Sequence, residues 1–458
     1  MTNDTIAAIS TSLSKSGLSI IRISGKDALS VIDKIYRSKS GNKKISEVPS
    51  HTIHYGYIYD EEVLIDEVMV LVMKGPKSYT KEDVVEIDCH GGIVVTKKIL
   101  DTVIKHGARL SEPGEFTKRA FLNGRIDLSQ AEAVMDIINS KNELSLKNSL
   151  SQLKGNVLDK IKEIRSSIMH DLAFIEAALD DPEHISLDGF NEELENNINV
   201  TIKELGRLLK SAENGRLIKE GINTVILGKP NVGKSSLLNI LVGTDRAIVT
   251  DIAGTTRDTL EESVNIGGIT LNIIDTAGIR DTDDIVEKIG VEKARKVANE
   301  ADLIIYVIDA SVPLDINDEI IIDIIRDKKA IILLNKTDLD MKVDPNKIKE
   351  LLDKDIILIS AKENKGINRL EDWIIDNFFQ GNLDFNDEVM ITNIRQKNAI
   401  SEAIDSLNNV ISSINDNLPE DFYSIDLMNA YELLGEIIGE TVNEDLVDTI
   451  FSDFCMGK

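Results

Sequence analysis

The pattern of apolar and polar residues changes its character several times along the chain. Between Thr5 and about Phe116, short runs of β-branched residues alternate with polar turns, and the clearest runs are 18–23, 67–73 and 84–88. Short helical patterns separate these runs. The pattern predicts a compact α/β domain in this part of the chain.

Helical periodicity follows after Arg125. Apolar residues recur at steps of three and four, the spacing of one helix face, at Leu150, Leu153, Val157, Ile161, Ile164, Ile168, Leu172, Ile175 and Leu179. The Asp-Asp-Pro-Glu sequence at 180–183 should end this helix. Similar periodicity returns at 400–414 and from Leu427 to Ile450. Because amphipathic helices need apolar partners, we expect the two sides to pack together as one helical domain.

Between these helical stretches the chain repeats a pattern of strand, loop and helix. Apolar runs typical of buried parallel strands occupy 224–227, 271–274, 303–308 and 330–334. They predict a doubly wound parallel sheet that is inserted into the helical domain. The expected fold class is multidomain α/β plus α, with domains at 1–118, 119–214, 215–377 and 378–458.

Composition narrows the possible classes of function. A net charge of −27 argues against broad, sequence-independent nucleic-acid binding, because neutralising phosphates needs clustered Lys and Arg. The two cysteines, Cys89 and Cys455, exclude a disulfide framework or a four-thiolate zinc site, and the histidine spacings suggest no metal cluster. The sequence has neither a run of about 18 apolar residues nor a signal peptide, so we expect a soluble, cytoplasmic protein without membrane contact.

The sequence Gly-Lys-Pro-Asn-Val-Gly-Lys-Ser at 228–235 directly follows one of the predicted strands and precedes a helical pattern. It fits the phosphate-binding loop G-x-x-x-x-G-K-S, in which backbone N–H groups cradle phosphates at a helix N-terminus. Lys234 would contact the β- and γ-phosphates, and the Ser235 hydroxyl would bind Mg²⁺. The chain is therefore predicted to bind a nucleoside triphosphate.

Further motifs follow in the order found in guanine-nucleotide hydrolases. Thr256 could give Mg²⁺ a second hydroxyl ligand, and Asp275 could hold the ion through water. Asp338 suits the N1–H and 2-amino donors of guanine, which adenine lacks as a pair, and Asn335 would brace the pocket. The predicted GTP-binding residues are Asn231, Val232, Gly233, Lys234, Ser235, Ser236, Thr250, Asp251, Ile252, Ala253, Gly254, Thr255, Thr256, Asp275, Thr276, Ala277, Gly278, Asn335, Lys336, Asp338, Ser360, Ala361 and Lys362. The last three would complete the base pocket, mainly through backbone N–H groups.

One expected catalytic residue is missing. Ile279 follows Gly278 at the position where Ras-type enzymes carry a glutamine that orients the attacking water. Another group must therefore position the water. Glu287 is the best-placed carboxylate of the acidic stretch 280–287, but acidic surface loops are common, and the residues alone leave its role open.

Several stretches together resemble one protein family. Those around the nucleotide motifs are 252–258, 275–280 and 287–290, which ribosome-assembly GTPases partly share. The stretches 113–123, 127–132 and Phe-Cys-Met-Gly-Lys at 454–458 are more specific in combination. Over essentially its whole length, the chain resembles the MnmE (TrmE) family of bacterial tRNA-modification GTPases.

The resemblance implies both an architecture and a reaction. The architecture is an N-terminal α/β folate-binding domain that forms a homodimer, a discontinuous helical domain and an inserted Ras-like G domain. Together with the flavoprotein MnmG in a heterotetramer, such a protein adds an aminomethyl or carboxymethylaminomethyl group to C5 of the wobble uridine, position 34, of certain tRNAs. The carbon would come from 5,10-methylene-tetrahydrofolate, of which 5-formyl-tetrahydrofolate is an analogue.

The resemblance also implies how hydrolysis is activated. A potassium ion, K⁺, would be bound by Asn231, Thr250, Ile252 and Thr255, and hydrolysis would depend on K⁺-dependent dimerisation of the G domains. The cation would neutralise charge where an arginine finger otherwise does so. Glu287 would position the attacking water.

Folate contacts implied by the resemblance are Arg22, Glu82, Arg125 and Lys458, whose opposite charges suit a pterin and a glutamate tail. The chain departs from the family at 12–17, where a Ser-rich sequence replaces a glycine-rich loop, at Arg125, where lysine is common, and at Met456, where isoleucine is usual. Cys455 could be a nucleophile near the folate and the uridine, or a packed structural thiol.

Two rival functions stay open on the sequence. A ribosome-assembly or translation GTPase has a similar nucleotide domain but usually carries a basic RNA-binding module. The acidic balance of this chain and its sequence at 454–458 count against that rival. A stand-alone folate-dependent methyl- or aminomethyltransferase would use the G domain only as a dimerisation switch. Activity without MnmG or GTP would favour the second rival.

Overall fold

The computed structural model describes residues 4–39, 41, 43–181, 183–184, 189–244, 262–274, 288–379, 389–452 and 454–457. Proximity of Cα atoms groups the chain into two units. The first unit contains Met1–Met135, Leu153–His170 and Met428–Lys458, and the second contains Asp136–Gln152 and Asp171–Leu427. Each unit therefore combines segments that are distant in the sequence.

The first unit contains a largely antiparallel sheet. Its strands are β1 (Ile6–Ile9), β2 (Ser19–Ser24), β3 (Tyr36–Ser38), β4 (Thr52–Asp60), β5 (Val63–Met73), β6 (Val84–Cys89) and β7 (Arg109–Leu110), in the order β3-β4-β5-β6-β2-β1-β7. Among these described strands, only the β1–β7 pair is parallel. The helices here are α1 (Ala28–Ile35), α2 (Ile93–Lys105) and α3 (Glu115–Leu122), with a 3-10 turn at Ile45–Glu47. The predicted α/β character and the three strand runs are confirmed.

The core of this sheet lies on the face that packs against α1 and α2. Ile21 and Ile23 of β2 and Ile87 of β6 are fully buried there. Because successive strand residues point to opposite faces, the intervening Arg22 and Glu86 lie on the other face. The alternation thus places charged side chains together on the face away from this core.

Helices α4 (Leu128–Asn139), α5 (Glu143–Leu153), α6 (Asn156–Asp180) and α7 (Phe190–Glu220) come next. The prediction of one continuous helix is wrong, because the apolar series is divided between α5 and α6. Gly155, which lies between them, has a φ of +99°, a backbone conformation that a right-handed helix cannot include. Leu150 and Leu179 are 42% and 43% exposed, so the buried face is shorter than predicted. The helix end at Asp180 is confirmed.

The second unit contains the predicted nucleotide-type sheet. Its strands are β8 (Ile222–Leu227), β9 (Glu262–Ile266), β10 (Ile269–Ile273), β11 (Leu303–Asp309), β12 (Ala330–Asn335) and β13 (Ile356–Leu358), in the order β13-β12-β11-β8-β10-β9. Its helices are α8 (Lys234–Thr244), α9 (Lys288–Glu300), α10 (Ile316–Ile325), α11 (Pro345–Leu351) and α12 (Ile367–Phe379). The parallel pairing of the predicted strands is confirmed, and β9 adds an antiparallel edge.

The last helices are α13 (Ile394–Asn415), α14 (Glu420–Ile438) and α15 (Glu444–Ser452). The predicted helix at 400–414 is confirmed as α13, and the later periodicity belongs to α14 and α15. Helix α13 packs along α7. A helix that precedes the nucleotide-type sheet in the sequence thus packs against one that follows it, as expected. At the base of this pair, a Cβ on Gly215 would lie 2.1 Å from the carbonyl oxygen of Ile391, a contact that only glycine permits.

A buried amide in the second unit connects α5 with the sheet. Asn142 Nδ2 donates to the Ile218 carbonyl at 3.1 Å and to Thr270 Oγ1 of β10 at 3.0 Å, while its Oδ1 accepts from the backbone N–H of Ser145 at 2.7 Å. Because these polar groups are buried, their mutual hydrogen bonds fix the position of α5 against β10.

Within the described part of the chain, no helix is long and apolar enough to cross a membrane.

A buried ion network holds α3 in the first unit. Glu115 accepts hydrogen bonds from Arg109 at 2.5 and 2.8 Å and from Arg119 at 2.9 Å. Asp4 pairs with the same two arginines at 2.5 and 2.8 Å. Burial opposes the ionisation of Glu115, but the bonds from Arg109, the Glu112 backbone and Arg119 outweigh it and hold its pKa below the ordinary value.

We predict that Glu115→Gln lowers the free energy of unfolding of the first unit by about 3 kcal/mol, because it leaves two arginines short of a buried partner. The measurement is a urea titration that follows hydrogen exchange of the α3 amides. Glu47→Gln is the matched control, because Glu47 contacts Lys44 only at 4.0 Å on the surface. An equal effect of both substitutions would contradict the prediction.

We also predict that the difference in stability between the wild-type chain and Glu115→Gln depends on pH. A carboxyl group whose pKa is lower in the folded state stabilises that state fully above its unfolded pKa, and this contribution is lost as the pH falls through the folded pKa. The difference in stability between the wild-type chain and Glu115→Gln should therefore be constant from about pH 8 to 6 and shrink below about pH 4.

Candidate functional site

The phosphate-loop sequence forms a tight loop between β8 and α8. Gly228 and Gly233 have φ values of +152° and +103°, and Asn231 has +61°. A Cβ on Gly228 would lie 2.4 Å from the Val307 carbonyl oxygen. A Cβ on Gly233 would lie 2.2 Å from Asn335 Nδ2. The glycines therefore allow the backbone to approach its neighbours closely, and the loop leads into the N-terminus of α8, where N–H groups can receive phosphates.

Lys234 is the first residue of α8, and its ammonium group folds back over the loop. Nζ donates to the carbonyl oxygens of Gly228 and Lys229, both at 2.8 Å. Burial lowers the pKa of this lysine. The loop thus positions a partly desolvated cation at the place where the motif requires contact with phosphate.

Asn335, at the end of β12, joins two of the predicted motifs. Its Nδ2 donates to the Val232 carbonyl of the phosphate loop at 2.8 Å, and its Oδ1 accepts from the Ala361 backbone N–H at 3.0 Å. Asn335 is only 2% exposed. One buried amide therefore fixes the phosphate loop relative to the loop at 360–362, which we call the Ser-Ala-Lys loop.

Asp338 lies beside this junction with an accessible carboxylate. Ser360 Oγ donates to its Oδ1 at 2.7 Å. That hydrogen bond, assisted by the charges of Lys362 and Lys336, lowers the pKa of Asp338. An ionised carboxylate is a hydrogen-bond acceptor only, which is the chemistry that the paired N–H donors of guanine need. Lys336 itself has a φ of +64° and pairs with Asp309 at 2.5 Å.

Other predicted nucleotide residues are at the surface or outside the described residues. Asn231, Ser235 and Ser236 are exposed at the start of α8 and in the loop before it. The residues of the predicted GTP, K⁺ and Mg²⁺ sites at 250–256, the stretch 275–278 and Glu287 lie outside the described residues. Strands β9 and β10 directly follow and precede these undescribed segments.

A second cluster lies on the sheet face of the first unit that carries Arg22. Arg22 Nε pairs with Glu86 at 2.7 Å, and its Nη1 donates to the Gly457 carbonyl at 3.1 Å. Its guanidinium carbon is 5.5 Å from the ring centroid of Tyr79, and that of Arg125 is 4.7 Å from the same centroid. Two of the four predicted folate residues therefore meet at one aromatic ring.

Glu82 approaches the same region from the loop between β5 and β6. It accepts from Ser24 Oγ at 2.7 Å, and Ser24 is two residues beyond Arg22 on β2. Arg119 Nη1 lies 3.2 and 3.3 Å from its two carboxylate oxygens. Three predicted folate residues, Arg22, Glu82 and Arg125, thus lie at or beside the loop between β5 and β6.

The segment 454–457 packs against β1. Gly457 has a φ of +85°, and a Cβ there would lie 2.5 Å from the Ile9 carbonyl oxygen. Ser10 Oγ also donates to the Gly457 carbonyl, at 3.2 Å. Cys455 is exposed, and its carbonyl accepts from the Gly114 N–H at 3.3 Å. Lys458 lies outside the described residues.

Sequence reasoning missed the residues that connect these predicted groups. Tyr79 and Phe116 contact Arg22, Arg119 contacts Glu82, and Asp309 pairs with Lys336. Phe116 and Arg119 lie within the stretch 113–123 that indicated the family, and Tyr79 is an aromatic residue in a polar loop three residues before Glu82. These were the available signals, but their partners are distant in the sequence.

Comparison with known proteins covers the whole chain. The family model described as MnmE helical domain matches residues 128–455, and that described as GTP-binding protein TrmE N-terminus matches residues 5–125. The tRNA modification GTPase MnmE of Lachnoclostridium phytofermentans is 64% identical over 458 residues, which is 100% of both chains. That of Acetivibrio thermocellus is 52% identical over 99% of both chains.

Among solved structures, the G domain of the T. maritima FeoB iron transporter covers 34% of this chain and 97% of its own, at 27% identity and a TM-score of 0.27. The family matches and the relatives, by contrast, extend over both units. The chain belongs to the MnmE family of tRNA-modification GTPases and is a GTP-hydrolysing enzyme.

Proposed function

We propose that this GTPase works with the flavoprotein MnmG to add an aminomethyl or carboxymethylaminomethyl group to C5 of uridine 34 in certain tRNAs. The observation that carries the proposal is the meeting of Arg22, Glu82 and Arg125 around one loop, in a chain that also has a guanine-nucleotide site. Methylene-tetrahydrofolate would supply the carbon. GTP hydrolysis acts as a conformational gate, because phosphate chemistry and C5 chemistry use different parts of the chain.

The proposed domains follow this division of tasks. Residues 1–118 form the folate-binding and dimerisation domain, 119–214 and 378–458 form a discontinuous helical domain, and 215–377 form the inserted Ras-like G domain. The packing of α7 along α13 supports the insertion, since these helices flank the nucleotide-type sheet in sequence.

For hydrolysis, Lys234 would contact the β- and γ-phosphates. Ser235 and Thr256 would hold Mg²⁺ directly, and Asp275 would hold it through water. The backbone at Gly228 and Gly233 lies too close to Val307 and Asn335 for a Cβ, and this tight loop leads into the N-terminus of α8, whose N–H groups suit phosphates. Asn231, Thr250, Ile252 and Thr255 would hold K⁺, whose charge would offset negative charge on the phosphate oxygens. Glu287 orients the attacking water.

For folate, the available charges match the chemical groups of the ligand. The guanidinium groups of Arg22 and Arg125 and the ammonium group of Lys458 suit the carboxylates of the glutamate tail. Glu82 suits the N–H donors of the pterin, and the bonds from Ser24 and Arg119 orient its carboxylate. The exposure of Cys455 leaves its thiol accessible for a role near the uridine.

The proposed assembly is a cytoplasmic homodimer that joins MnmG in a heterotetramer. Ile53, Tyr55 and Met69 on β4 and β5 are 62%, 45% and 45% exposed, and Tyr55 pairs with Met69 across the two strands. Exposed apolar residues clustered on one sheet face support self-association. The net charge of −27 supports a tRNA contact that is mostly supplied by MnmG.

The central test is reconstitution with MnmG, unmodified tRNA, GTP and methylene-tetrahydrofolate, followed by mass spectrometry of the nucleosides. We expect the added group at uridine 34 only when all components are present. A non-hydrolysable GTP analogue should abolish the product, because it blocks the gate. Product formed by this chain without MnmG or GTP would instead favour the stand-alone transferase.

We predict that GTP hydrolysis is at least about tenfold faster in KCl than in NaCl at equal ionic strength, because K⁺ stabilises charge that develops on the phosphates. Asn231→Ala should remove this difference, and Glu287→Ala should reduce the rate by about 100-fold in either salt. Glu292→Ala, in the exposed part of α9, is the matched acidic control. Equal rates in both salts would eliminate the potassium site.

We predict that Asp338→Asn weakens GTP binding by at least about 100-fold, because two hydrogen bonds to a charged acceptor are lost. Xanthosine triphosphate should bind this variant better than GTP does, since its C2 carbonyl can accept from the new amide. Calorimetric titration measures both affinities. Asp340→Asn, at an exposed position nearby, should bind GTP like the wild-type chain; preserved GTP affinity in Asp338→Asn would refute the base-pocket assignment.

A further inference from the structure

Tyr79 contacts both arginines of the proposed folate site. The guanidinium carbons of Arg125 and Arg22 lie 4.7 and 5.5 Å from its ring centroid, within the range of cation–π attraction. Phe116, which is fully buried, lies 5.6 Å from the guanidinium carbon of Arg22. Two like charges are therefore gathered at aromatic surfaces on the sheet face away from the α1 and α2 core.

Hydrogen bonds of Tyr79 and of its neighbour in the same loop hold the Tyr79 ring in place. Its Oη is 2.9 Å from Oγ1 of Thr117, which is fully buried. The next residue, Thr80, is also fully buried, and its Oγ1 is 2.7 Å from Ser24 Oγ on β2. These hydrogen bonds hold the ring without involving the side chain of either arginine.

The two arginines differ in how their charges are balanced. Arg22 is paired with Glu86 at 2.7 Å, so much of its charge is already matched. Among the described residues, the Arg125 guanidinium has the Tyr79 ring as its contact and no carboxylate within ion-pair distance. Its donors stay available for an anion, while the ring restricts where the group can lie.

We propose that Tyr79 is a positioning residue that holds Arg22 and Arg125 for the carboxylates of a folate glutamate tail. This role rests on the proposed function. Guanidinium forks bind carboxylates in a defined plane, so their orientation before binding decides how much affinity each contributes. Loss of the ring frees the Arg125 side chain and removes one of the contacts of Arg22, which keeps its bonds to Glu86 and to the Gly457 carbonyl. It therefore weakens the binding of the anionic tail more than that of the pterin.

The test is calorimetric titration of the full chain with 5-formyl-tetrahydrofolate and with 5-formyl-tetrahydropteroic acid amide, which has neither the glutamate nor a free carboxylate. Tyr79→Leu should weaken binding of the glutamate-bearing ligand by about tenfold, as expected when a cation–π contact is removed. Binding of the pteroic acid amide should change by less than about twofold. Tyr79→Phe, which keeps the ring but loses the bond to Thr117, should stay within about threefold of wild type for both ligands.

Tyr59→Leu is the matched control. Tyr59 also carries an arginine on its ring, Arg37 at 4.3 Å, but it lies on β4, away from the cluster. This variant should bind both ligands like the wild-type chain. If Tyr79→Leu lowers the midpoint of thermal unfolding, Tyr79→Met, which also lacks a ring but keeps more volume, takes its place.

The outcomes separate the two proposals. Equal weakening of both ligands by Tyr79→Leu, or no weakening of either, overturns the role of Tyr79 while folate binding by the wild-type chain stands. Absence of folate binding by the wild-type chain overturns the proposed folate function and the role of Tyr79 with it. Selective loss for the glutamate-bearing ligand supports both.

Discussion

A buried guanidinium group needs carboxylate partners, and in the first unit this requirement organises the surroundings of Arg119. Its side chain is 5% exposed and contacts Asp4, Glu82 and Glu115, which come from three separate segments. Removing such a charge from water is costly unless its donors are matched. The segment before β1, the loop before β6 and helix α3 are therefore held around one cation, and Glu82 reaches its position in the cluster as a result.

The second unit meets a similar constraint with neutral groups. Asn335 is buried between the phosphate loop and the Ser-Ala-Lys loop, and each half of its amide has one partner. Asn142 has an equivalent position between α5 and β10. In both places a single amide fixes segments that the sequence separates widely, so the local shape of each loop is defined by a distant element.

These contacts explain which features could be predicted from the sequence. The phosphate loop, Asn335 and Asp338 follow strand ends at fixed spacing, and local pattern was sufficient to find them. Family membership counts against the ribosome-assembly alternative. Periodicity failed at Gly155, because apolar residues continue in step across a left-handed glycine. It also could not reveal Tyr79, whose importance comes from two arginines that only the tertiary fold brings to it.

The contact between Arg22 and Gly457 has a consequence for how the protein is made. The two residues are 435 positions apart, and chains emerge from the ribosome N-terminus first. β2 and β6, which carry Arg22 and Glu86, are synthesised early, whereas the carbonyl that completes the cluster follows the whole nucleotide unit. A translation product interrupted within that unit would still contain the sheet but would lack this acceptor. The cluster can therefore be completed only after residue 457 has been synthesised.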